Sequence, residues 1–330
     1  MGLTIGLIIV LALVLAAEFV NGATDAPNAI ATVVSTRVLS PRTAVLLATV
    51  LNAVGVLVGT KVAETIGKGI VRPDVINLTT VAAAMISIVL WSGLAWRFGL
   101  PTSETHALVA SLTGAGFATG GLDALLIAGW HKTGIGLLYS TFLGFGGGFL
   151  LIIAIYWLFR KVPVGQVQRI FGKLQIFSAG FMAFSHGNND GQKFMGVFTL
   201  ALVVGGQLDE FAIPWWVILI CSVVMGVGTS LGGWRIIRTM GIKMVKLEPY
   251  QGFAAETAAS VTIVLASWRS IPLSTTHTIS TAIMGVGAAR KLSAVRWGVV
   301  GEVVGAWILT FPACAIIGYV VTTVVQWFTH

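Results

Sequence analysis

From Gly2 to Phe328, long apolar stretches follow one another with only short polar breaks, so no part of the 330 residues can close a water-facing surface. Charged residues make up 10% of the chain and hydrophobic ones 56%, whereas a soluble domain carries about 25% charged residues. The chain is therefore read as one integral membrane unit. At 1.5 Å per residue, about 20 apolar residues cross roughly 30 Å of hydrocarbon. Segments of that kind fall at 3–36, 43–60, 75–96, 100–118 and 133–159, and again at 174–205, 213–232, 250–268, 271–289 and 297–327. The expected fold is an all-α polytopic membrane protein of about 10 to 12 membrane segments. The first segment has no basic leader and no small-residue cleavage site, so it is expected to stay as a membrane segment. Cys221 and Cys314 lie inside apolar stretches and suggest neither a disulfide framework nor a thiolate metal site.

The formal charge of +8 is mostly a topology signal. Placing the N-terminus outside puts Arg37, Arg42, Arg97, Arg160, Lys161, Arg169, Lys173, Arg235, Arg238, Lys243, Lys246, Arg290, Lys291 and Arg296 on the cytoplasmic side. Lys61, Lys68, Arg72, Lys132 and Arg269 then fall outside and Lys193 lies within the membrane. The opposite orientation inverts the positive-inside rule. Both termini are accordingly expected outside a multi-pass protein of the inner (plasma) membrane, with lipid as its surroundings and no role in nucleic-acid binding.

The chain also echoes itself. Asn21-Gly-Ala-Thr-Asp-Ala-Pro-Asn28 is matched by His186-Gly-Asn-Asn-Asp-Gly-Gln-Lys193, and Pro101-Thr-Ser-Glu-Thr-His106 by Pro272-Leu-Ser-Thr-Thr-His277, each about half a chain apart. A duplicated unit that crosses the membrane an odd number of times places its copies in opposite orientations. This predicts two inverted-topology repeats, 1–160 and 174–330, joined by a cytoplasmic connector at 161–173. That period is too long for a solenoid or propeller repeat.

Glu18, Asp25, Glu104, Asp190, Lys193 and Glu256 all interrupt apolar segments, where a central charge costs roughly 2.5–3.5 kcal/mol. Asp25 and Asp190 occupy equivalent places in the two halves, which marks them as functional. Gly22, Pro27, Gly187 and Gly191 predict helix breaks beside them, meeting at a midplane site. Exposed N–H groups at such breaks suit an anion, and carbonyls with the two aspartates suit a cation. After Pro101 and Pro272, the hydroxyls of Thr102, Ser103, Thr105, Ser274, Thr275 and Thr276 form a symmetric donor set. Ser103 and Ser274 also read as simple N-caps, and His106 and His277 as proton shuttles or, in preference, as hydrogen-bonding residues of the bundle. The unpaired base Lys193 and unpaired acid Glu104 belong to opposite halves. They are expected either to form an ion pair bordering the site or to leave Lys193 in direct contact with the anion.

The stretches NGATDAPNAIATVVSTRVLSPRTA, LPTSETHALVASLTGAG, FSHGNNDGQKFMGVFTLAL and IPLSTTHTISTAIMGVG resemble, in order and spacing, the inorganic phosphate transporter (PiT) family, closest to its short bacterial members. The resemblance implies import of inorganic phosphate by cation-coupled symport with alternating access. It is compatible with a homodimer and implies no tightly bound cofactor. Phosphate would be held by Thr24, Asn28, Ser103, Thr105, Asn189, Gln192, Lys193, Ser274, Thr275 and Thr276. The coupling cation would lie at Asp25, Asp190, Glu256 and Asn188, with Asp25 and Asp190 also suited to a metal. Thr24 stands where many members carry Asn. Asn52 stands where sodium-coupled animal members carry Glu, which favours H⁺ or metal phosphate over Na⁺. Two carboxylates beside a phosphate dianion repel it unless a cation screens them. The alternatives are a sulfate or other oxyanion permease of the same fold, a passive channel, or an intramembrane hydrolase using Ser103 with His106 or Ser274 with His277. The symmetric recurrence of that last pair, without a base-orienting acid, argues against an enzyme.

Overall fold

Helix starts follow the capping chemistry of the sequence. Thr4, Ser40 and Asn77 accept backbone N–H groups at the heads of α1 (Ile5–Ser35), α2 (Pro41–Val56) and, beyond the short α3 (Lys61–Gly69), α4 (Leu78–Phe98). Ser103 caps α5 (Glu104–Gly120), and α6 (Ile127–Leu138) runs through a π-helical turn into α7 (Gly144–Leu158). The second half holds α8 (Val164–Val204), α9 (Trp215–Thr229), α10 (Trp234–Arg238), α11 (Pro249–Trp268), α12 (Thr275–Arg290) capped by Ser274, and α13 (Trp297–Thr329). This computed structural model describes residues 4–329. Among them there is no strand, only the isolated bridges Val71–Leu125 and Val245–Val295. The protein is an all-helical, multi-pass membrane protein.

Four helical stretches are long and apolar enough to cross a bilayer, at 5–35, 78–98, 127–158 and 297–328. Two bent pairs, α2 with α3 at 70° and α9 with α10 and its π-helical continuation at 60°, raise the total to six. Fewer of the ten expected segments pass as simple spans, for two reasons. Extended residues after Leu100 and Ile271 shorten α5 and α12 to 17 and 16 residues. The 41-residue α8, about 60 Å long, gives much of its length to polar side chains. It also absorbs most of the connector expected at 161–173, since the helix begins at Val164.

The helix breaks expected at 21–28 and 185–193 are absent. α1 and α8 run through both motifs, with Pro27 inside α1. Their glycines serve close approach instead. A Cβ on Gly22 would lie 2.5 Å from the Met225 carbonyl oxygen and one on Gly187 2.1 Å from that of Asn52. Gly228 and Gly55 return the contact, each with a would-be Cβ 2.2 Å from the carbonyl oxygen of Phe19 or Phe184. Small residues at such crossings let membrane helices pack backbone to backbone. The real breaks lie at the bends, where Gly59 (φ 96°), Gly232 (φ 80°) and Gly233 (φ 54°) take the left-handed backbone that suits glycine.

Two apolar clusters flank a polar belt. One gathers Leu7–Ala17 of α1 with Phe194–Leu202 of α8, and the other gathers Ala29–Val33 of α1 with Phe171–Ala183 of α8. The beginning of α1 thus lies beside the end of α8, so the two helices run antiparallel. Their polar stretches, Glu18–Asn28 and Ser185–Lys193, fall between the clusters at the same level. Large apolar side chains such as Leu90, Phe142, Leu150 and Ile308 point outward, as a hydrocarbon solvent allows.

The crossing glycines yield a stability prediction. Gly187→Ala and Gly228→Ala should each cost about 1–3 kcal/mol by overpacking and lower the thermal midpoint of the detergent-solubilised protein. Gly146→Ala, with nothing within 4 Å of its Cβ, should leave that midpoint unchanged.

Candidate functional site

Helical spacing places His186, Asp190 and Lys193 on one face of α8, and Asp25 and Asn28 on the facing side of α1. The extended residues before α5 and α12 bring Glu104, Thr105, Thr275 and Thr276 to the same level. The site is therefore assembled from all four sequence motifs. Its side chains are essentially withdrawn from solvent, with Asp25 at 3% exposure and Asp190 and Lys193 at 1%, so every charge in it requires a partner.

Lys193 spends all three ammonium hydrogens inside the protein. Nζ donates to Asp190 Oδ1 at 2.5 Å, to Thr105 Oγ1 at 2.5 Å and to the Leu273 carbonyl at 2.9 Å. Its ion-pair partner is Asp190, not Glu104 as expected from the charge asymmetry between the halves. Glu104 instead accepts from Thr24 Oγ1 at 3.1 Å and Ser92 Oγ at 2.8 Å. The physical reason is reach: Asp190 lies one helical turn before Lys193 on the same face, whereas Glu104 is held on the α1 side by Thr24. Direct contact between Lys193 and an anion would require release of one of its three bonds.

One amide organises the opposite wall. Asn28 Nδ2 donates to Thr275 Oγ1 at 3.3 Å and Thr276 Oγ1 at 3.0 Å. Each hydroxyl then turns its hydrogen to a carboxylate, Thr275 to Asp190 at 3.0 Å and Thr276 to Asp25 at 3.3 and 3.4 Å. Between the two aspartates stands His186. Asn52 donates to Thr229 at 3.2 Å and thereby presents its Oδ1 to His186 Nδ1 at 2.9 Å. That network assigns the ring hydrogen to Nδ1 and leaves the Nε2 lone pair facing Asp190 at 3.4 Å and Asp25 at 3.9 Å. Ligand atoms of Asp25, His186 and Asp190 all lie within 4.8 Å of one another. Two carboxylates this close repel by about 3 kcal/mol at an effective dielectric near 20, a cost that a proton or a bound cation removes.

Other expected site residues lie elsewhere. Asn188 donates to the Val58 and Gly55 carbonyls, and Gln192 bridges the Asn188 carbonyl at 2.6 Å and the Val62 N–H at 2.9 Å. Both therefore tie α8 to the α2–α3 bend. Asn189 donates to Ser267 at 2.9 Å. Glu256 accepts from Thr32, Ser178 and Gln175, with Thr32 two turns along α1 from Asp25, about 10 Å. Ser103 and Ser274 accept the backbone N–H groups of His106 at 3.3 Å and His277 at 3.1 Å as N-caps. The rings of His106 and His277 meet edge to face at 4.6 Å and stack on Phe311 and Trp307. Neither ring bonds its serine, so the hydrolase pairing is not formed among the described residues. His186, quoted in the motif, received no role from the sequence; its signal was the four-residue spacing to Asp190.

Apolar helices enclosing a buried, ion-ready polar centre define the class as a membrane transport protein. The chain belongs to the phosphate transporter family, whose model matches residues 21–318. It is 44% identical over 96% of its length to a probable low-affinity inorganic phosphate transporter of Rhizobium meliloti (strain 1021), covering 94% of that protein. It is 38% identical to the protein of the same description in Bacillus subtilis (strain 168), over 94% of both chains. In fold it matches a solved structure described as the sodium-dependent phosphate transporter, with a TM-score of 0.87 and 24% identity over 98% of this chain and 99% of the other. This is a transporter family and not an enzyme family.

The Lys193 contacts predict that Lys193→Met strands a buried carboxylate and lowers stability by about 3–5 kcal/mol. Adding Asp190→Asn should restore most of the loss and adding Glu104→Gln should not, as read by thermal melting in detergent.

Proposed function

We propose that the chain is a secondary active transporter that imports inorganic phosphate together with a cation. The observation that carries this reading is the Asp25–His186–Asp190 group facing the Asn28–Thr275–Thr276 donors. The acidic group needs a positive charge and the hydroxyls can turn toward an oxyanion, so each ligand favours the other in one small volume. The relatives named as inorganic phosphate transporters support the substrate.

A proton or a metal arriving with phosphate is the coupling species this geometry supports best. A proton on His186 Nε2 converts a repelling lone pair into a donor between two carboxylates, and a divalent ion accepts all three ligands. Asn52, in place of an acid, keeps His186 in the tautomer that leaves Nε2 free for either. The sodium named for the structural neighbour belongs to that protein.

Alternating access is supported by the arrangement of the two halves, read as inverted repeats at 1–160 and 174–330. The same series of elements occurs twice: a long helix, a bent pair, a helix, a Pro-led helix with a bridge, and a last long helix. α1 and α8 run antiparallel, and the glycine crossings of α1 on α9 and of α8 on α2 are reciprocal. Counting α5, α8, α11 and α12 with the clear spans gives about ten segments. The Lys and Arg distribution supports termini outside the plasma membrane.

Labelled phosphate uptake into proteoliposomes, with H⁺, Na⁺ and Mg²⁺ gradients varied one at a time, tests this function. Uptake driven by H⁺ or dependent on Mg²⁺ is expected, with Asp25→Asn and Asp190→Asn abolishing it while the protein still inserts. Uptake equally well displaced by sulfate would overturn the phosphate assignment, and uptake driven only by Na⁺ would overturn the coupling.

A further inference from the structure

Away from the central site, α3 exposes Lys61, Glu64 and Lys68 on one face, with the buried Thr65 beneath them, at the spacing of successive helical turns, while Val62, Ala63 and Ile66 are buried on the other. A glycine contact brings a third lysine to that face. A Cβ on Gly129 of α6 would lie 2.2 Å from the Gly69 carbonyl oxygen, so α3 and α6 cross backbone to backbone and Lys132, one turn beyond Gly129, comes alongside Thr65. Lys132 Nζ donates to Thr65 Oγ1 at 3.3 Å, and the same hydroxyl donates to the Ser270 carbonyl at 2.9 Å.

The result is a cavity of about 250 Å³, walled by Lys61, Lys68, Lys132 and Ser270, with Glu64 as its one acid. That volume accommodates a phosphate ion, and three ammonium groups against one carboxylate give it a net positive charge. Lys61 also lines a neighbouring 410 Å³ cavity whose wall includes Asn188 and Gln192. Those two amides tie the α2–α3 bend to α8 within one turn of Asp190. The lysine cavity thus adjoins the bend that separates it from the buried centre.

We propose that this cavity is an antechamber that binds phosphate before it reaches the central site, with Lys61, Lys68 and Lys132 as its anion ligands. The inference rests on the uptake function proposed above and on the orientation that places these lysines outside. A positively charged cleft raises the local concentration of an anionic substrate and its rate of encounter, and salt screens the effect. Its residues act on capture and leave the buried translocation step untouched.

The test is the triple variant Lys61→Gln/Lys68→Gln/Lys132→Gln in proteoliposomes. Its apparent KM for phosphate should rise about three- to tenfold at low ionic strength with the maximal rate unchanged, and the difference should shrink in high salt. Lys→Arg at the three positions should retain the wild-type KM, and Glu64→Gln should lower it. An unchanged KM in a triple variant that transports, or a fall in maximal rate alone, would overturn the antechamber. A second measurement is independent of transport: phosphate should protect Lys68 and Lys132 from a membrane-impermeant acylating reagent in the Asp25→Asn protein. Absence of that protection would refute the site even where wild-type uptake is normal. Protection together with no phosphate uptake by the wild-type protein would retain the site and sink the uptake function instead.

Discussion

Asp25 and Asp190 converge on one imidazole in an interior that excludes water, and the cost of keeping those charges there governs the surrounding structure. Asp190 is neutralised by Lys193, whose remaining hydrogens are taken by Thr105 and the Leu273 carbonyl. Asp25 has longer contacts to Thr276 and His186. The two carboxylates are thus unequal, one paired with an ammonium group and one held by longer contacts. That inequality breaks the near-symmetry of the two motifs, in which Asn28 occupies the place matched by Lys193.

Holding such a centre requires rigid backbones close together, and glycine supplies that closeness. The four crossings at Gly22, Gly55, Gly187 and Gly228 press α1 against α9 and α8 against α2, so each aspartate-bearing helix is held backbone to backbone against a neighbour. The sharp bends of the architecture lie elsewhere, at the glycine-containing turns between α2 and α3 and between α9 and α10. Asn188 and Gln192 bind the first of these bends to α8, linking the polar motif of α8 to the place where the chain changes direction. The second bend closes on the other side of α1, where the Pro27 ring packs against Gly233.

Much of this was legible in the residues alone. Apolar content and spacing specify a helical membrane protein, because hydrocarbon admits no unsatisfied backbone and few charges. The paired motifs pick out Asp25, Asp190, Thr275 and Thr276, since a polar residue kept at matched places in a membrane segment must have a use. Ser103 and Ser274 read both as anion donors and as caps, and their oxygens accept the His106 and His277 N–H groups as caps. The breaks inferred from Gly22 and Gly187 were misplaced, because glycine permits both a broken helix and a close crossing, and only the neighbouring helix distinguishes them.

Pairing was beyond the sequence. Charge asymmetry joins Lys193 to Glu104 on paper, but hydrogen-bond reach is set by distances of a fraction of a helical turn, and these join Lys193 to Asp190 and Glu104 to Thr24 and Ser92. His186 is marked along the chain only by its four-residue spacing to Asp190; its Nε2 faces both aspartates while α2 sets Asn52 against its other nitrogen. The sequence by itself determined the solvent, the helical class and the family, since these depend on composition and on motifs read in order. The tertiary structure alone decided which buried charges meet, because short-range hydrogen bonds depend on how helices distant in the chain pack against one another.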